Sequence, residues 1–225
     1  MLKISTWCKL AAVITASSAR GSRGRRSTRP SGDDRELAIL ATAEQLLEQR
    51  PLADISVDDL AKGAGLSRPA FYFYFPSKDA VLLTLFERVI IEADSALEAM
   101  VATPPADVKA LWRSGINVFI ETFGSHRAVS LAAEAARTNK DLRDLWSRFM
   151  QKWVGRIASV IEAERARGAA PVTQAAHDLS AALNLLNEKL ILASFADERP
   201  SVSREHLLDT LVHIWVTSIY NEPRW

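Results

Sequence analysis

The segment Ser56–Asp79, SVDDLAKGAGLSRPAFYFYFPSKD, leaves its part of the chain little freedom in how to fold. Ser56, followed three residues later by Asp59, is a helix-opening pair: hydroxyl and carboxylate satisfy N–H groups that a first turn leaves unpaired. Val57, Leu60, Ala61 and Ala64 recur at helical spacing and define one apolar face. Gly65 stands where the chain must turn, because glycine accepts a positive φ without a Cβ clash. Ser67 is placed to cap a second helix, and Pro69 suits its first turn, where a missing N–H costs nothing. Two short helices therefore meet at a tight turn, and small Ala61 lets them cross closely.

The second helix divides by face. Leu66, Phe71 and Phe75 point inward, which leaves Arg68, Ala70, Tyr72, Phe73, Tyr74 and Lys78 outside. An outer face of Arg, Lys and Tyr near a helix N-terminus suits phosphate and base contacts. Helix–turn–helix pairs also occur in proteins that bind no DNA, and geometry alone leaves both readings open. The wording of the motif goes further. GLSRPAFYFYFPSKDAVL, with its Gly–hydrophobic–Ser turn, paired aromatics and Phe-Pro-Ser-Lys exit, resembles the recognition-helix signature of the TetR family of bacterial transcriptional regulators. The resemblance implies an all-α, TetR-like fold. Residues 33–80 would form a three-helix DNA-binding domain, and residues 81–225 a helical ligand-binding and dimerisation domain. It also implies a homodimeric repressor on double-stranded operator DNA, with contacts from Ser67, Arg68, Ala70, Tyr72, Tyr74 and Lys78.

Helical periodicity continues on both sides of the motif. A helix over about Arg35–Gln49 precedes it, and Ser77 caps a long helix running to about Met100 before the Pro104-Pro105 break. Further helices are expected over about Asp107–Phe123, stopped by Gly124, then Arg127–Thr138, Leu142–Arg167, Thr173–Ala196 and Ser203–Tyr220. No alternating strand pattern and no internal repeat intervene. The apolar residues of Leu179–Phe195 run all round the helix, so more than one side must be covered. With Ser203–Tyr220 this makes a two-helix face able to pack against its own copy; a central core helix in a monomer is the alternative.

The formal net charge is +1, but it is unevenly spread. Residues 1–34 hold seven Lys and Arg against Asp33 and Asp34, a balance of +5, so the remainder carries −4. This Ser/Gly/Arg-rich stretch lacks periodicity and reads as a disordered basic arm over residues 1–32, there to solubilise or to lie along DNA. Lys9 interrupts Met1–Ala19 too early for a secretory leader. An alternative start at Val13 would leave an arm of ordinary length. A single cysteine, Cys8, excludes an internal disulfide and fits the cytoplasm, and no run approaches the ~18 apolar residues of a membrane span.

One constellation remains. Trp112, Phe119 and Phe123 share a helical face, with Gly115 opening space between them; Trp146, Met150 and Trp153 share another. Asn184 and Asn187, beside Glu188, interrupt the most apolar helix, and a buried amide without a partner costs about 1–3 kcal/mol. Aromatics at helical spacing usually form core, and on periodicity alone they read so. The chain also resembles a repressor branch of the family from about Gly24 to Glu222, through stretches such as WR-x-GINVF-x-ETFGSH, FMQKW and LDTLVHIWVTSIY. That resemblance implies a long aromatic pocket for a small hydrophobic ligand, on Trp112, Gly115, Phe119, Phe123, Trp146, Met150, Trp153, Asn184, Asn187 and Trp215. It also implies control of a neighbouring flavin monooxygenase gene. It departs at Met1–Arg23, around Val101–Lys109, and at Arg156–Ile157, where the resembled regulators carry an aromatic and a small polar residue.

Nothing in the sequence asks for catalysis, a metal or a cofactor. Gly63–Gly65 lacks the third glycine and preceding strand of a phosphate loop. His126, His177, His206 and His213 lie in different segments, without the Glu of a metalloprotease helix.

Overall fold

The computed structural model describes residues 32–103, 105 and 107–221. Apart from Gly32, the expected basic arm, with Arg23, Arg25, Arg26 and Arg29, lies outside the described residues. Among the described residues all regular structure is helical. The order is α1 (Gly32–Leu47), a 3-10 turn (Leu52–Asp54), α2 (Val57–Gly63), α3 (Arg68–Tyr74) and α4 (Lys78–Ala102), then α5 (Val108–Ser125), α6 (Arg127–Ala135), α7 (Lys140–Ala166), α8 (Ala176–Phe195) and α9 (Arg204–Tyr220).

The hairpin closes by local rules. Ser56 Oγ accepts from the Asp59 N–H at 3.1 Å, and Asp59 Oδ2 accepts from the Ser56 N–H at 2.9 Å. The backbone bond from Ser56 holds the Asp59 carboxyl below its ordinary pKa. At the far end Gly65 has φ +68°, its N–H donates to Lys62 O at 3.0 Å, and the Leu66 N–H donates to Ala61 O at 2.8 Å. This pair of bonds is the helix-ending pattern that a left-handed residue permits. Ser67 Oγ then caps α3 through the Ala70 N–H at 3.3 Å, and Ser77 Oγ caps α4 through the Ala80 N–H at 3.1 Å.

Ile39, Leu40 and Ala43 of α1, Leu60 and Ala61 of α2, and Phe71 of α3 are buried together with Val81, Leu82 and Leu85 of α4. Burying Leu- and Phe-sized side chains stabilises by about 1.5–3 kcal/mol each, which is how two seven-residue helices persist. The C-terminal half of α4 packs against α5 and α7, and α8 lies on α7 with α9 closing the layer against α5 and α8. Leu142 and Ile161 of α7, Leu183 of α8, and Leu207 and Leu211 of α9 are buried there.

Two local expectations change. α5 continues through Gly124 to Ser125. The glycine serves packing instead of termination: a Cβ on it would lie 3.3 Å from Phe195 Cζ of α8. On the two-helix face expected to meet a second copy, Leu211 of α9 is fully buried within its own chain, while Leu186 of α8 is partly open. Leu185, one residue earlier on α8, is 61% exposed and is the large apolar residue that α8 presents to solvent.

Candidate functional site

On the outer face of α3 and its cap, Ser67, Arg68, Tyr72 and Phe73 are exposed, while Ala70 and Tyr74 are partly buried. Phe73 is 84% and Tyr72 45% exposed, while Phe71 and Phe75 are buried. Arg68 is held across this face: Nη1 donates to Asp58 Oδ2 at 3.1 Å, Nη2 to Tyr72 Oη at 3.4 Å, and the guanidinium lies 5.8 Å from the Tyr72 ring centre. Ser67 and Ala70 lie at the start of α3, and Tyr74 near its end is half-buried against Phe73.

Lys78 departs from its expected place on the outer face. Its Nζ donates to Leu52 O at 2.7 Å, Ala53 O at 3.1 Å and Ile55 O at 2.8 Å. An ammonium has three donors, and three carbonyls of the turn before α2 take them. The lysine at the base of α4 therefore braces the loop between α1 and α2, and no donor is left over for a phosphate.

Behind the hairpin, α4, α5, α7, α8 and α9 enclose a cavity of about 210 Å³. Trp112, Gly115 and Phe119 line it from α5, Trp153 from α7, Asn184 and Asn187 from α8, and Trp215 from α9. Sequence periodicity missed the contribution of Leu97, Met100 and Val101 at the end of α4, and of Arg156, Ile157, Ser159 and Val160 on α7. The signal was present in part: Arg156, Ile157 and Val160 follow Trp153 at helical steps of three, four and seven. Gly115 does open space, since a Cβ there would meet only Met100, with Cε at 3.6 Å.

The other expected positions part company with this cavity. Phe123 and Trp146 line a smaller neighbouring chamber of about 40 Å³ with Phe86 and the Arg137–Glu188 ion pair, and Phe119 lines both spaces. Phe119 and Phe123 stack at 5.8 Å, and Trp146 meets Phe123 edge-on at 5.6 Å. Met150 lines neither space and packs half-buried on the core. A helical stripe extends further than one cavity, so spacing alone could not tell wall from core.

Buried polar side chains at and around the cavity are hydrogen-bonded. Asn187 Oδ1 accepts from Trp215 Nε1 at 2.9 Å, and Asn184 Nδ2 donates to Ser180 O at 2.8 Å. Trp112 Nε1 donates to Tyr220 Oη at 3.0 Å, and Tyr220 Oη donates to Glu164 Oε2 at 3.2 Å. Arg167 closes the relay on Glu164 with Nε–Oε1 2.8 Å and Nη2–Oε2 2.5 Å. The Arg167 bonds hold the Glu164 carboxyl low against the opposing effect of burial, and burial pushes the Tyr220 phenol up. The wall on the Trp112 side is thereby fixed by a buried network, as a preformed site requires.

His126, between α5 and α6, bridges α1 and α4. Its Nδ1 lies 3.0 Å from Glu44 Oε1 of α1 and its Nε2 3.2 Å from Glu92 Oε2 of α4. Burial pulls the imidazole pKa down, but the two carboxylates outweigh it and the ring holds its proton above the ordinary range.

Comparison with known proteins places these features. Residues 39–85 match the family described as bacterial regulatory proteins, tetR family, and residues 112–221 match transcriptional regulator EthR, C-terminal domain. The HTH-type transcriptional regulator EthR of Mycobacterium tuberculosis is 66% identical over 211 residues, covering 93% of this chain and 98% of that protein. The regulator of the same name from Mycolicibacterium smegmatis is 55% identical over 209 residues, covering 92% and 96%. A candidate transcriptional regulator from Saccharomonospora viridis, solved in complex with choline, superposes with a TM-score of 0.67 at 26% identity, over 80% of this chain and 94% of that one.

Proposed function

The chain belongs to the TetR family of bacterial transcriptional regulators, and on that footing we propose that it is a ligand-responsive repressor. It binds a roughly palindromic operator as a homodimer and leaves it when a small, mostly apolar molecule fills the 210 Å³ cavity. Residues 33–80 form the DNA-binding domain, and residues 81–225 hold the ligand and the partner. Ser67, Arg68, Ala70, Tyr72 and Tyr74 read or grip the operator. For Arg68 this means exchanging its Asp58 and Tyr72 contacts for DNA, since guanidinium–guanine and guanidinium–phosphate pairs are the strong contacts of such interfaces. The regulated gene encodes a neighbouring monooxygenase, as the sequence resemblance suggests. The protein acts in the cytoplasm, where its operator is; no described helix is long and apolar enough to cross a membrane.

The observation that carries this reading is the double membership of α4. Its first turns, with Val81, Leu82 and Leu85, pack on α1 in the core that also buries Leu60 of α2 and Phe71 of α3. Its last turns, with Leu97, Met100 and Val101, form a wall of the cavity. A straight helix of 25 residues spans roughly 37 Å. A molecule that pushes Met100 and Val101 outward tilts a lever whose other end carries the recognition helix. In a dimer the two recognition helices must enter major grooves about 34–36 Å apart. A tilt that changes their separation lowers operator affinity, and operator binding disfavours the ligand to the same extent. The partner packs on the α8–α9 face, where Leu185 is exposed.

A gel-shift and footprint titration on the DNA upstream of the chain's own gene tests the DNA-binding half, with Tyr72→Ala weakening retention and the circular-dichroism spectrum unchanged. Equal, salt-insensitive retention of unrelated DNA would contradict it. Sedimentation of a micromolar monomer would contradict the dimer.

A further inference from the structure

The cavity is mostly apolar: two buried amides, Asn184 and Asn187, lie in its interior, and its exposed polar side chains lie at its opening. Among the described residues that line it, three are exposed: Val101 at the end of α4, and Arg156 and Ser159 on α7. They mark the mouth. Asn184, Asn187 and Trp215 are buried and mark the interior. Arg156 is the one described lining residue that carries a charge. Its guanidinium lies 5.4 Å from the ring centre of Trp153, itself a buried wall residue, so the cation is laid against the cavity and not turned away from it. Stacking on an indole and a fixed planar fork pre-organise such a group for an anion.

From this arrangement we infer that the pocket takes a carboxylate-headed aliphatic molecule, with its tail among the tryptophans and its carboxylate at the mouth on Arg156. The inference rests on the ligand-binding reading above and narrows it. An ionised group cannot enter the interior, because two amides and several indoles would leave a charge unpaired at large cost. A charged amphiphile is therefore held with its head at the mouth, and Arg156 sets the sign of that head. Glu98 of α4 accepts from Arg156 Nη2 at 3.1 Å, but it also pairs with Lys152 at 2.8 Å, so it is not dedicated to the guanidinium. A guanidinium has five N–H donors, which lets a second carboxylate share the fork. The occupant also bridges the mouth from α7 toward Val101 of α4, the end of the lever that responds.

The test uses the full-length protein and three probes with one tail: decanoate, decanol and decylammonium, each below its aggregation limit and followed by tryptophan fluorescence. Decanoate is expected to bind about tenfold tighter than decanol, the worth of roughly one charge-assisted hydrogen bond at a partly exposed site, with decylammonium weakest. Arg156→Gln should abolish the preference for the acid while leaving decanol affinity unchanged, and Arg156→Lys should keep most of it. Glu98→Gln, which removes the competing carboxylate, should tighten decanoate and not decanol; a purely structural role for Arg156 would not produce that split. If the three probes bind alike and Arg156→Gln changes nothing, the head-group assignment is wrong while the pocket stands. If none of the three binds, the ligand-binding reading fails and this inference with it.

Discussion

In the α2–α3 hairpin the bonds that set the geometry join residues three to five apart: Ser56 with Asp59, Gly65 with Lys62, Leu66 with Ala61, Ala70 with Ser67. The cavity is fixed across far longer spans. Trp215 bonds Asn187 28 residues away, Trp153 bonds Asp94 59 away, and Trp112 bonds Tyr220 108 away. One region is assembled from capping rules and a turn; the other exists only once five helices have met. The hairpin should therefore tolerate little at its few local anchors, and the cavity should tolerate much as long as its wall helices stay in place.

The sharpest way to break this contrast is to remove the centre of the hairpin core. Phe71 is fully buried, and Phe71→Ala should cost about 3–5 kcal/mol and abolish operator binding. Urea unfolding with two probes tests it: circular dichroism should lose stability early, while the tryptophans around the cavity keep a native-like emission. Coincident loss by both probes would mean that the two regions are one cooperative unit. Gly65→Ala is the next largest, at about 1–2 kcal/mol, because φ +68° is strained for any residue with a Cβ. Its effect on operator affinity should exceed its effect on ligand binding. Lys78→Met should cost about 1 kcal/mol by unbracing the loop carbonyls. It should leave the salt dependence of DNA binding nearly unchanged, whereas a phosphate contact would lower that slope by about one.

The smallest effect concerns His126, which bridges α1 and α4. Its folded pKa is raised above the unfolded value of about 6.5. The stabilisation is thus complete at pH values below the unfolded pKa, and is lost as pH rises through the folded one. The urea midpoint of the wild type should fall across that window, and His126→Gln should flatten the slope. Partial exposure and screening keep the effect modest. An identical slope in the variant would place the titration elsewhere.

What could be read from the sequence follows the same division. Ser56, Asp59, Gly65, Ser67 and Ser77 act through neighbours a few positions away, so residue type and spacing were enough to place them. Gly124 looked like a stop by the same rules, but its role is set by Phe195, 71 positions later, and no local pattern carries that. Lys78 looked like an outward cation because its acceptors belong to a turn more than 20 residues earlier. In the cavity, Trp112 and Phe119 were legible as one helical face, Trp153 as part of another, and Asn184 and Asn187 as polar intrusions. Whether those faces meet space or packing depends on where Met100, in the last turn of α4, sits and on how α7 is rotated. Hence Met150 fell to the core, Phe123 and Trp146 to a second chamber, and Arg156 to the mouth.

The central claim is that occupancy of the cavity sets the grip of the hairpin through α4. Gly115→Trp addresses it without any ligand, because the new indole grows into the cavity toward Met100, whose Cε lies 3.6 Å from the Cβ position. Operator affinity by fluorescence anisotropy should fall by tenfold or more, a coupling of about 1.4 kcal/mol, while secondary structure and oligomeric state match the wild type. Wild-type operator affinity in a folded Gly115→Trp protein would contradict the claim and leave the cavity a void without a role in DNA binding.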